Sequence, residues 1–114
     1  MINKSGLHPE GHAVLVEAYE PEMQKFQTSL IVPDSVLENF TVLENRVIVV
    51  ECGSAAWKDE PVPRAKPGDL VMVTKHAGFV AKGADGKLYR LVNDRDIFCR
   101  IDRQLFESAK EKAA

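Results

Sequence analysis

Apolar positions along the chain come in short blocks of period two, or as brief unbroken runs, and nowhere as a long stripe of helical period. "HAVLVEAY" (12–19) is β-rich, and alternation lets Val14 and Val16 share one face. "NRVIVVEC" (45–52) holds four β-branched residues in a row, the pattern of a strand buried on both sides. "DLVMVTK" (69–75), "GFVAKG" (78–83), "KLYRLV" (87–92) and "DIFCRI" (96–101) continue the series. Breakers fall between them at Gly53, Pro61, Pro63, Pro67-Gly68, Gly78 and Ala84-Asp85-Gly86. "KGADGKLYRL" predicts a tight hairpin, because Asp85-Gly86 supplies the positive φ that such turns need. "KPGD" (66–69) predicts a turn that opens into a strand. Short strands spaced by turns predict an all-β fold, a small barrel or sandwich with its edges closed or covered.

Two segments break the pattern. Residues 20–44 hold few strand-like runs, two prolines and mixed polarity, a gap that is uncommon in a compact domain unless it is functional or disordered. Within it, "TSLIVPDS" sets Leu30, Ile31 and Val32 side by side. They read either as another core strand or as a surface that waits for a partner. The tail "DRQLFESAKEKAA" (102–114) is helix-prone, and is expected to dock through Leu105 and Phe106 or to fray.

Composition narrows the classes. At 114 residues the chain has the size of a single domain, and 45% apolar against 28% charged residues predicts a packed core. The net charge of −2 argues against a nucleic-acid surface, which needs clustered Lys and Arg. The acidity is concentrated in residues 1–51, with three basic groups against eight acidic ones. No apolar run approaches the ~20 residues of a membrane span, and "MINKSGLHPEG" lacks the apolar core of a signal peptide. Cys52 and Cys99 suit free thiols in a reducing cytoplasm; a disulfide between them stays open on sequence grounds.

Candidate chemistry is sparse. The chain has no Gly-rich phosphate loop, no His-Glu-x-x-His and no Cys-x-x-Cys. His8 and His12 are four apart, but Pro9 and Gly11 oppose the helix that would make them a metal pair. His76 reads as a turn histidine. Trp57, in "SAAWKDEPVP", is expected in a loop, capping the core or touching a neighbouring subunit. A small enzyme or ligand-binding barrel would have to use Cys99, His76 or Trp57, and no paired carboxylates stand out. The expectation is a non-enzyme without a metal or cofactor of its own.

The order of segments carries more than any one of them. "GLHPEGHAVLVE", a long irregular stretch holding "SLIVPDS", "RVIVVECGS", a Pro-rich piece, "KPGDLVMVTKHAG" and "YRLVNDRDIFCRI" follow one another as in the GroES-like co-chaperonins. Residues 6–101 resemble that family. Leu7-His8 matches its opening, Leu30-Ile31-Val32 with Pro33 its mobile-loop tripeptide, and Val50-Glu51-Cys52-Gly53 the strand end before its roof. Lys66-Pro67-Gly68-Asp69 matches its next turn and Asp96-Ile97 its closing strand. The chain departs from the pattern in about two extra residues between Pro9 and Ala13, and in Thr28-Ser29 where Gly-Gly is usual. Its roof segment is shorter and a dozen residues follow the last strand, a divergence that would suit a specialised, for instance virus-encoded, member.

The resemblance implies a partly open GroES-like β-barrel (6–101) with a mobile loop (20–44), a short roof hairpin (53–66) and a C-terminal extension (102–114), all one domain. It implies a homo-oligomer, a ring of seven, that caps a GroEL-like chaperonin large subunit when that subunit holds ATP, enclosing client proteins in the cytoplasm. Leu30, Ile31, Val32 and Pro33 would be the docking residues. Val14, Val16, Ile97 and Ile101 are expected near subunit contacts, since first and last strands of neighbours would pair to cover open edges. The alternative is a structural ring-forming protein, such as a viral particle component, of similar fold and without a chaperonin partner.

Overall fold

A computed structural model describes residues 2–19, 45–74 and 76–105. The docking residues expected at Leu30, Ile31, Val32 and Pro33 lie outside the described residues, as do Phe106 and the rest of the tail. Among the described residues six strands form: β1 (Ala13–Ala18), β2 (Arg46–Cys52), β3 (Leu70–Val73), β4 (Phe79–Lys82), β5 (Leu88–Asn93) and β6 (Ile97–Arg100). A 3₁₀ turn at Asp94–Asp96 joins the last two. They pair antiparallel in one sheet of order β4-β5-β1-β2-β3-β6, open at β4 and β6. This is the small all-β fold that the sequence pattern predicts, and it is consistent with the GroES-like fold that the resemblance implies.

Each strand forms for the reason its residues suggest. Val14 and Val16 of β1 project to one face with Val47 and Val49 of β2, Val71 and Val73 of β3, Val92 and Ile97. Leu15 of β1 and Val50 of β2 project to the other, where Tyr89, Leu7 and Leu91 cover them. The two central strands are thus buried on both faces, which the unbroken run in β2 requires. The β4–β5 hairpin closes over residues 83–87, with the Gly83 amide donating to the Lys87 carbonyl at 2.8 Å and Gly86 at φ +84°. In "KPGD" the Asp69 amide donates to the Lys66 carbonyl at 3.0 Å, and the Asp69 carboxylate accepts the Lys66 amide.

Other details differ from expectation. Residues 53–66 form no paired strands; successive turns run through them, with the Ala56, Lys58 and Glu60 amides donating to Gly53, Ala55 and Trp57 carbonyls. Pro61 and Pro63 offer no amides for a ladder, and Trp57 is drawn into the core. Helix begins at residues 103–105, where the Asp102 carboxylate accepts the Leu105 amide at 3.1 Å. Leu105 does not dock on the described residues: it is 72% exposed.

Within their own chain the residues expected near subunit contacts are placed as follows. Val14 and Val16 are not edge residues, because β5 and β2 occupy both sides of β1 and both side chains are 0% exposed within their own chain. Ile97 is equally a core residue. Only Ile101, half-buried just past β6, keeps exposed surface. Among the described residues the unpaired edges belong to β4 and β6.

Cys52 and Cys99 are free thiols. Cys99 lies opposite Met72, which lies opposite Arg46, six residues along β2 from Cys52. At ~3.3 Å per residue that is about 20 Å, too far for a bridge.

Candidate partner-binding surfaces

Three structural features can meet another chain: the stem of the 20–44 segment, the β6 edge, and the turns held against that edge. The stem is built from the ends of β1 and β2. Past the last paired residues, Ala18 and Val47, the Tyr19 amide donates to the Arg46 carbonyl at 3.0 Å. On the other side the Asn45 carbonyl accepts the Val73 amide at 2.8 Å. Residues 20–44 therefore leave from and return to two adjacent, hydrogen-bonded positions.

The β6 edge is apolar and pairs with no further strand among the described residues. Phe98 is 67% exposed and Val62, from the turn segment, is 68% exposed. Both line a shallow groove of about 340 Å³ with Pro63, Arg64, Ile97, Cys99 and Arg100. The Arg64 guanidinium holds the turn segment to this edge, donating to the Ile97 carbonyl at 2.7 Å and to the Glu60 carboxylate at 2.9 Å. An open strand edge flanked by exposed aromatic and aliphatic side chains invites pairing with another chain.

Asp94 is the main buttress. Its buried carboxylate accepts the Trp57 amide at 2.8 Å and faces His12 Nδ1 at 3.1 Å, while its carbonyl accepts the Trp57 indole N–H at 2.8 Å. Burial pushes the Asp94 carboxyl upward, but the Trp57 amide and His12 outweigh it and hold the group below its usual range. Trp57, held at φ +55°, is 3% exposed and serves as a core cap. A hydrogen bond from Asn3, against burial and aided by His8, likewise lowers the Glu51 carboxyl. His8 faces Glu51 at 3.2 Å, so the two histidines turn to different carboxylates on different elements. His76 lies exposed in its turn at φ +61°.

Arg90 was invisible as a structural residue in the sequence. It is fully buried on β5, and its guanidinium donates to the Ala77 carbonyl at 2.9 Å and the Thr74 carbonyl at 3.3 Å, closing the turn before β4. Its period-two relation to Leu88 and Val92 put it on their face; nothing in the sequence marked the carbonyls that receive it. Burial pushes the Cys52 thiol up, which makes it a poor nucleophile. Among the described residues no group of three or more His, Cys, Asp or Glu is placed to hold a metal ion.

Taken together, the sheet, its apolar β6 edge and its anchored stem define a small β module with surface open to other chains. Comparison with protein families is specific: residues 6–101 match the family of the chaperonin 10 kDa subunit, Cpn10, and the chain belongs to that family. The family is one of co-chaperonins and not of enzymes, and a co-chaperonin role follows in general terms. So do a chaperonin partner and an oligomeric assembly. No curated protein matches the chain. No helix among the described residues is long and apolar enough to cross a membrane.

Proposed function

We propose that the chain assembles into a seven-membered ring that caps a GroEL-like chaperonin large subunit in its ATP-bound state, enclosing client proteins in the cytoplasm. Leu30, Ile31, Val32 and Pro33 enter an apolar groove on the chaperonin's apical domain. ATP is bound by the partner; this chain carries no cofactor and engages neither nucleic acid nor membrane. Neighbouring copies meet at the β6 edge, where Phe98 and Ile101 are covered. The observation that supports the reading most is the family match over residues 6–101, which brackets the "SLIV" segment between the two halves of the stem.

Energetics favour docking by many weak contacts. Burying three aliphatic side chains contributes roughly 5–9 kcal/mol. Fixing about six residues of backbone costs roughly 6–12 kcal/mol. One segment alone binds weakly or not at all, and a ring of them gains ~10²–10⁴ in avidity. The test is Leu30→Ser, Ile31→Ser and Val32→Ser combined. Capture by ATP-loaded chaperonin should vanish while light scattering still reports the intact ring. Loss of the ring itself would mean that these residues belong to the core or the subunit interface. An intact wild-type ring that binds no chaperonin would favour the purely structural role.

A further inference from the structure

The segment after β6 reaches back to the stem. The Arg103 guanidinium lies 5.6 Å from the centroid of the Tyr19 ring. In the sheet, β1 and β6 are separated by β2 and β3, so this contact does not follow from strand pairing. Backbone on both sides of Arg103 is hydrogen-bonded. The Ile101 amide donates to the Leu70 carbonyl at 2.8 Å, and Asp102 caps the helical turn at the Leu105 amide. Tyr19 is the last described residue before the 20–44 segment, and its amide forms the rung to Arg46 that closes the stem.

We propose that Arg103 is a positioning residue for docking: by stacking on Tyr19 it clamps the stem and sets where the docking segment leaves the barrel. A cation over an aromatic face is attracted by the ring quadrupole, and the planar guanidinium stacks where an ammonium only points. Docking orders the chain, and a stem that is already held has less freedom to lose. The inference rests on the docking role of residues 30–33, and gives the chain beyond β6 a part in it.

The clamp is read by two measurements on the full-length ring: docking affinity for an ATP-loaded GroEL-like chaperonin, and hydrogen exchange of the Tyr19 amide. Arg103→Ala and Tyr19→Leu should each weaken docking by about 2- to 5-fold per copy, the size of an exposed cation–π contact, compounded over the copies engaged. Both should speed Tyr19 exchange and lower the melting temperature by no more than a few degrees, the size of the lost contact. Tyr19→Phe, which keeps the ring, should behave as wild type, and Arg103→Lys should retain part of the effect. The double variant Arg103→Ala/Tyr19→Leu should be no worse than either single one. Additive effects, unchanged Tyr19 exchange in Arg103→Ala, or a fall in melting temperature that accounts for the weaker docking would overturn the clamp. A wild-type ring that captures no chaperonin would instead overturn the docking role, and Tyr19 exchange would still decide whether the clamp exists.

Discussion

Replacing Asp94 by Asn removes one charge from the buttress and little else. The carboxylate is buried, accepts the Trp57 amide at 2.8 Å and faces His12 at 3.1 Å. A charge-assisted hydrogen bond contributes about 1.5–3 kcal/mol net, and the Asn oxygen retains a neutral version of it. The His12 side chain is largely exposed, so that pair adds at most about 1 kcal/mol. Asp94→Asn should therefore cost about 1–2 kcal/mol near neutral pH. Asp94→Ala leaves the buried Trp57 amide without an acceptor and should cost about 2–4 kcal/mol. Acid distinguishes this from a packing effect. A carboxyl whose folded pKa is depressed adds stability that is fully present above its unfolded value, about 3.9, and is lost as pH falls through the folded value. The gap between wild type and Asp94→Asn should narrow below about pH 4. Urea unfolding at fixed protein concentration, followed by the fluorescence of the chain's one tryptophan, reads this directly. Equal stability of wild type and Asp94→Asn at pH 7, or a gap that persists unchanged in acid, would refute the buttress.

Other expectations follow from the same contacts. A Cβ on Gly78 would lie 1.8 Å from the Leu91 carbonyl oxygen, on backbone that cannot yield, so Gly78→Ala should lose several times the stability lost by Gly86→Ala. The latter has open space and bears only its φ of +84°, about 1–2 kcal/mol; equal losses by thermal melting would show that β4 does not pack as described. Cys99 is exposed on β6 and Cys52 is half-buried with its thiol pushed up, so alkylation should mark Cys99 first. Assembly should then protect Cys99, and equal labelling rates in ring and dissociated subunits would remove β6 from the interface. Phe98→Ser should lower the mass seen by light scattering at a given concentration; an unchanged ring would point to the β4 edge instead.

Much of the fold was legible because strands of period two announce themselves. All six strands lie within a residue or two of the blocks read from the sequence, and Asp85-Gly86 and Pro67-Gly68 mark the turns they were expected to make. Strand order was not legible. Alternation says that Val14 and Val16 share a buried face, but not whether a neighbouring subunit or the chain's own β5 and β2 cover them. The same limit hid Asp94, whose partner Trp57 stands 37 residues away. It also hid the role of Arg90, whose alternation with Leu88 and Val92 puts it on their face without marking the Thr74 and Ala77 carbonyls that receive it. For segment 53–66 the roof hairpin was what the family resemblance implied, while the residues themselves pointed to a loop; the buried indole of Trp57 turns that loop inward.

The docking role is tested most directly by sedimentation velocity of the full-length chain mixed with a GroEL-like chaperonin, with and without ATP. Seven copies should join each chaperonin ring as a unit when ATP is present, and sediment separately without it. Co-sedimentation that ignores nucleotide, or no complex in either condition, would contradict the account.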